Sequence, residues 1–177
     1  MTSNIGRWAT RYDQNDAQEP YGDTVTYLMA AEHLQGLAIE DWGCGVGWFR
    51  RFHDGPYIGV DGTKTQWSDV VDDLVTRVSE TPGLMMRHVL EHNEEWPSVL
   101  SNAVLSAQER LVIVTFIPSG SGEVLSRYPA MGDVPNIAIP HSAIDDALNE
   151  AGWTFEKSTF ATETQFGTES IWLAIKS

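Results

Sequence analysis

The sequence predicts one α/β domain: a mostly parallel sheet with helices on both faces and an antiparallel edge at its C-terminal end. Three observations carry this expectation. Short apolar runs alternate with helical segments along 177 residues, the signature of repeated strand–helix–strand units. The run RLVIVTFI at 110–117 is continuously apolar until Pro118, as suits a strand buried on both faces. The chain then closes on two strand-like segments, WTFEKSTFA and SIWLAIKS, around Gly167, which reads as a hairpin.

The elements follow in order. Residues 24–35, TVTYLMAAEHLQ, form a helix for which Asp23 is the expected N-cap. LAIEDW at 37–42 is a strand running into a Gly-rich turn, and VGWFRRF at 46–52 has room for a short helix. YIGVDG at 57–62 is a second strand, residues 70–72 a short one before Asp73, and GLMMR at 83–87 another. The helix at 94–107 carries Pro97 in its first turn, where a missing N–H costs nothing. The helix at 141–151 stops at Gly152. Between them, residues 119–140 are rich in Gly, Ser and Pro. They read as a long structureless loop, of the kind used as a lid or substrate loop, with Arg127 and Tyr128 as its contact residues. The chain therefore divides into an N-terminal arm and helix (1–36), a ligand-binding core (37–118), that loop, and a C-terminal helix and hairpin (141–177).

Composition narrows the function. Eleven Lys and Arg face 25 Asp and Glu, a formal charge of -14, and the nearest approach to a basic run is Arg50-Arg51. Strong nucleic-acid binding needs clustered cations and is not expected. A lone cysteine, Cys44, excludes an internal disulfide and a zinc finger. No apolar run approaches the ~20 residues of a membrane span. The first residues, MTSNIGRWATRYDQND, contain no hydrophobic signal region. The expected setting is a reducing cytoplasm.

The chemistry begins at the first strand. IEDWGCGVGW places Asp41 two residues before Gly43-x-Gly45-x-Gly47. Glycines allow a tight turn and close approach to a ligand. A dinucleotide fingerprint, G-x-G-x-x-G, would require glycine where Trp48 stands. The spacing G-x-G-x-G behind an acid instead resembles the first motif of class I S-adenosylmethionine-dependent methyltransferases. Further matches extend the resemblance over residues 37–118. Asp61, with Gly62, ends the second strand, where that family holds the ribose hydroxyls. Asp73-Leu74 stand where it holds the adenine. RHVLEH at 87–92 follows the strand bordering its methyl-donor pocket. The order of segments also looks like small methyltransferase-like proteins of tailed phages.

The resemblance implies a Rossmann-like methyltransferase fold with S-adenosylmethionine as cofactor. It implies a cofactor site formed by Tyr21, Asp41, Gly43, Gly45, Asp61, Gly62, Asp73, Leu74 and Arg87. Tyr21, with Trp8 and Tyr12, belongs to an N-terminal arm able to cover the cofactor. Arg87 is suited to bracing a carboxylate.

His88-x-x-Glu91-His92 also spells a metalloprotease zinc motif. That motif needs a long helix and a distant third ligand, whereas here it starts at a strand end. Some methyltransferases of the ubiquinone pathway and of small RNAs bind a divalent metal here through Glu-x-x-Glu-His. This chain has His88 in place of the first Glu, and no metal is expected. Glu91 and His92 are expected to brace the local fold. His88, at the end of a strand facing the ligand crevice, is the candidate proton acceptor. The N/D-P-P-Y/F signature of amine methylation and the Pro-Cys nucleophile of cytosine methylation are both absent. The expected reaction is methyl transfer to O or N of a small-molecule, nucleotide or protein acceptor. The alternative is an accessory protein that keeps the fold without turnover.

Overall fold

The computed structural model describes Ile5, Trp8, residues 21–129 and residues 132–177; Tyr12 lies outside them. Helix α1 (Val25–His33) precedes β1 (Ile39–Trp42), β2 (Tyr57–Asp61), β3 (Val70–Val71) and β4 (Thr81–Arg87). Helix α2 (Trp96–Ser106) leads into β5 (Ala107–Thr115), and β6 (Val124–Tyr128) and β7 (Val134–Ile137) form a separate pair. Helix α3 (His141–Glu150), β8 (Trp153–Ala161) and β9 (Thr168–Lys176) complete the chain.

Seven strands form one sheet in the order β3-β2-β1-β4-β5-β9-β8. Strands β1 to β5 pair in parallel, while β9 runs antiparallel to both β5 and β8. Alternation along the central strands divides the core between the two faces. Leu84, Met86, Leu111 and Ile113 pack with Val99, Leu100 and Ala103 of α2 and Ile144 and Leu148 of α3. Met85, Val112 and Val114 point the other way, onto Tyr27, Ala30 and Leu34 of α1 and onto Phe49. Each such fully buried side chain contributes roughly 1.5–3 kcal/mol. Both faces are therefore covered, as RLVIVTFI required.

Pro97 lies in the first turn of α2, and Gly152, at φ +77°, ends α3, both as expected. The short helix expected within 46–52 is a single 3₁₀ turn, Phe49–Arg51. Two expectations need correction. Thr24, not Asp23, is the N-cap of α1, with no side-chain cap bond. The Asp23 carboxylate instead accepts from the adjacent Thr24 N–H at 2.6 Å. The supposed structureless loop at 119–140 contains the β6–β7 ladder, in which Tyr128 pairs with Val134 and Arg127 with Pro135. Its strands are joined through Gly132 and Asp133, both at positive φ.

Candidate functional site

Strand β1 lies between β2 and β4. This is the point at which successive strands begin to be added on the opposite side, and a crevice opens at the C-terminal strand ends there. A cavity of about 770 Å³ occupies this crevice, within the range of small-molecule sites. It is lined by Asp41, Gly43, Gly45, Asp61, Gly62, Asp73, Leu74, Arg87, His88 and Tyr21. All ten residues singled out from the sequence thus border one space.

The turn after β1 explains its glycines. Gly43 stands at φ +72°, and a Cβ there would sit 2.5 Å from Val89 Cγ2. The turn is fastened from within: the N–H groups of Gly43 and Cys44 donate to Val60 O, at 2.8 and 3.1 Å. The Gly47 N–H donates to Cys44 O at 2.7 Å, and the Gly45 N–H to Asp61 Oδ2 at 3.0 Å. A pyrophosphate-binding turn presents such donors to its ligand; here these four already have acceptors.

Asp61 receives that Gly45 N–H on one oxygen and the Thr63 N–H on the other, at 3.0 Å. The Gly62 N–H is also directed at this carboxylate, whose roughly four acceptor sites leave capacity for a ligand. Burial raises its pKa, and the backbone donors oppose the rise. Asp41 accepts from Tyr57 Oη, and burial lifts its pKa to about 7 against that bond. Asp73 Oδ1 accepts from Val75 N–H at 3.0 Å. Asn102 fixes the same loop by donating to the carbonyls of Leu74 and Val75, at 3.1 and 2.9 Å.

At the other end, His88 adopts φ +57°. A non-glycine residue in this region stores strain of order 1 kcal/mol, and such strain concentrates at functional sites. Its N–H is anchored on Val114 O at 2.9 Å. Its ring Nε2 lies 2.6 Å from Glu169 Oε1. With Nε2–H donating to the carboxylate, Nδ1 is the basic nitrogen. Burial holds the His88 pKa well below its ordinary value, assisted by the nearby Arg87 and His92 charges, so the ring is neutral at pH 7.

Arg87 is committed elsewhere than to a ligand. Its guanidinium bonds Glu169 Oε1 at 2.5 Å, Tyr21 O at 2.7 Å and Tyr27 Oη at 3.1 Å, and lies 4.2 Å from the Tyr27 ring centroid. The carboxylate it meets within the protein is that of Glu169. The Tyr21 ring stands edge-on to His88 and Phe116.

His88, Glu91 and His92 do not converge. Glu91 Oε1 accepts the Phe116 N–H at 2.7 Å, and His92 Nδ1–H donates to Pro135 O at 2.9 Å. Among the described residues, no group of three or more His, Cys, Asp or Glu side chains is arranged to hold a metal ion. Nor is any described helix long and apolar enough to cross a membrane. Arg127 bonds Glu94 at 2.6 Å, and Tyr128 bonds the Gln165 side chain. Tyr128 lines the cavity, and Arg127 is not among its lining residues.

The sequence did not reveal Glu169, Phe116, Thr164 or Gln165 as site residues; the last two read as turn chemistry, yet they line the cavity. The available signal was topological. Pairing β9 antiparallel to β5 sets Ser170 against Thr115, so Glu169 stands at the strand ends beside His88.

No protein-family model and no curated protein sequence matches the chain. Solved structures do. Magnesium protoporphyrin IX methyltransferase from Synechocystis PCC 6803, with bound S-adenosylmethionine, has a TM-score of 0.62 at 19% identity, over 99% of this chain and 92% of that one. The 1,6-didemethyltoxoflavin-N1-methyltransferase of Burkholderia thailandensis, with bound S-adenosylhomocysteine, has 0.69 at 14%, over 98% and 85%. The [4+2]-cyclase SpnF has 0.70 at 11%, over 97% and 94%. Strand order, glycine turn and these likenesses agree: the chain has the Rossmann-like fold of class I S-adenosylmethionine-dependent methyltransferases.

Proposed function

We propose that the protein is an S-adenosylmethionine-dependent methyltransferase acting on an oxygen or nitrogen atom of a small acceptor. One observation carries this: a single cavity joins the acids of the β1, β2 and β3 ends to a buried, neutral histidine held by a carboxylate. The donor set fits the cofactor. The remaining acceptor capacity of Asp61 suits ribose hydroxyls, and Asp73 with the Leu74 backbone suits an adenine edge. Asp41 and the glycine turn border the space left for the amino-acid moiety. The internally fastened turn and Trp48 argue against a dinucleotide. Bound there, the cofactor would supply a sulfonium methyl group, the C–S bond electrons staying on sulfur as S-adenosylhomocysteine.

The chain's own residues position the acceptor and take its proton. His88 Nδ1 accepts the O–H or N–H proton as the new C–O or C–N bond forms, and Glu169 holds the ring in the required tautomer. Most of the acceleration comes from alignment within the crevice. The site is expected to work in a cytoplasmic setting, without a metal.

The test is S-adenosylhomocysteine formation from S-adenosylmethionine and a metabolite pool. Turnover is expected, and His88→Ala should lower it ~10²–10⁴-fold while leaving cofactor affinity within a factor of three. Full activity in His88→Ala would remove the proton-acceptor role. A second reading, cofactor retention without methyl transfer, is supported by the shared fold of the cyclase SpnF. Cofactor binding with no turnover on any pool would favour it.

A further inference from the structure

The end of the cavity beyond His88 is built from rings. Phe116, 2% exposed, is the centre. His88 lies 4.7 Å from its ring centroid, Tyr21 5.4 Å and His92 5.5 Å. Trp8 extends the wall, edge-on to His92 at 5.3 Å. All five rings line the cavity. Edge-to-face and tilted arrangements at these separations are the ones rings prefer. They leave a concave aromatic wall directly beside the proposed proton acceptor.

Charge adds a second constraint. Asp41, Asp61, Asp73 and Glu163 border the same cavity, and among the described residues the one Lys or Arg lining it is Arg87. That guanidinium is spent on Glu169, Tyr21 O and Tyr27 Oη. Recognition of a phosphate or carboxylate relies on cations or on clustered N–H donors. Among the described residues no lining Lys or Arg beyond Arg87 is offered, and the glycine turn's N–H groups at Gly43, Cys44, Gly45 and Gly47 are already bonded internally.

We propose that the acceptor is a planar aromatic or heteroaromatic molecule, neutral or cationic, bearing the reactive hydroxyl or amine, and that phosphorylated and carboxylated acceptors are excluded. The assignment rests on the methyltransferase reading for which end of the cavity receives the acceptor. Within that reading it removes nucleotides from the acceptor class. The ring lies against Tyr21 and Trp8, with Phe116 packed behind the Tyr21 and His88 rings. This sets its substituent against His88, and the acidic cavity repels an anion.

The experiment uses 1-naphthol, decahydro-1-naphthol and 1-naphthyl phosphate as probes, titrated by calorimetry into the full chain with and without saturating S-adenosylhomocysteine. Naphthol should bind at least about tenfold more tightly than 1-naphthyl phosphate and about 2- to 10-fold more tightly than decahydro-1-naphthol. A lost aromatic contact corresponds to about a 2- to 10-fold change in affinity. Phe116→Leu should weaken naphthol by that factor while its S-adenosylhomocysteine affinity, which also reports folding, is kept. Equal or tighter binding of 1-naphthyl phosphate overturns the proposal, as does equal binding of the saturated alcohol or no binding of naphthol. The comparison on the unmodified protein decides the matter even if Phe116→Leu does not fold. Naphthol binding without any S-adenosylhomocysteine binding would instead overturn the methyltransferase reading and leave the aromatic site standing.

Discussion

Replacing Glu169 by glutamine removes the charge that holds the acceptor end of the site together. Glu169 is fully buried, and its Oε1 takes both Arg87 at 2.5 Å and His88 at 2.6 Å. The Arg87 side chain is only 7% exposed. A guanidinium cannot shed its proton, so the variant would leave a buried cation without its counter-ion. Breaking a buried pair from one side costs roughly 3–5 kcal/mol. The glutamine oxygen keeps one hydrogen bond, and Arg87 retains Tyr21 O and Tyr27 Oη, so the lower figure, about 3 kcal/mol, applies. For a chain of this size each kcal/mol shifts Tm by about 2–4 °C, and a fall of roughly 6–12 °C is expected. Thermal unfolding followed by circular dichroism at pH 7 measures it. The double variant Glu169→Gln/Arg87→Met should be less destabilised than the sum of the two single changes, by at least about 1 kcal/mol. A Tm within 2 °C of the parent, or strict additivity, would refute the reasoning, because it would mean that the pair is solvated rather than buried.

Two further outcomes follow from the same geometry. Asp61→Asn keeps the shape but removes the charge offered to the ribose, and hydrogen bonds to charged groups are worth roughly 1.5–3 kcal/mol. S-adenosylhomocysteine affinity should fall ~10- to 100-fold by calorimetry, and the amide nitrogen facing the Gly45 or Thr63 N–H should lower Tm as well. Burial raises the Glu91 pKa to about 7, above the unfolded value, so the folded state binds the extra proton. Stability linked to this group is therefore fully present below the unfolded pKa of about 4.5 and is lost as pH rises through about 7. Glu91→Gln keeps an acceptor for the Phe116 N–H and does not titrate. Its Tm relative to the parent should rise between pH 5 and pH 8, and a constant difference would contradict the assignment.

Much of the fold was legible because the signals were local. RLVIVTFI read as a doubly buried strand and GLMMR as a strand, and they became β5 and β4, whose alternate residues serve opposite faces. Gly43, Asp61 and Asp73 were legible through the resemblance to a methyltransferase cofactor motif, and all three border the cavity. The β6–β7 pair was missed because Pro135 and the Gly and Ser content mask strand character. Gly132-Asp133 was the available hairpin signal, since both residues take positive φ. Glu169 was illegible for a different reason. It lies 81 residues from His88 in a strand where an acid reads as solvent-facing, and only the reversed direction of β9 brings it under the histidine. Arg87 shows the converse: its charge was visible, but its partners on α1 and β9 were not.

The account depends most on the cavity holding S-adenosylmethionine and not a dinucleotide. Calorimetric titration of the full chain with S-adenosylhomocysteine and, separately, with NAD tests this most directly. One-to-one saturable binding of S-adenosylhomocysteine with no measurable heat from NAD is predicted, because the N–H groups of Gly43, Cys44, Gly45 and Gly47 are already bonded within the protein. Tighter binding of NAD, or no binding of S-adenosylhomocysteine, would contradict it.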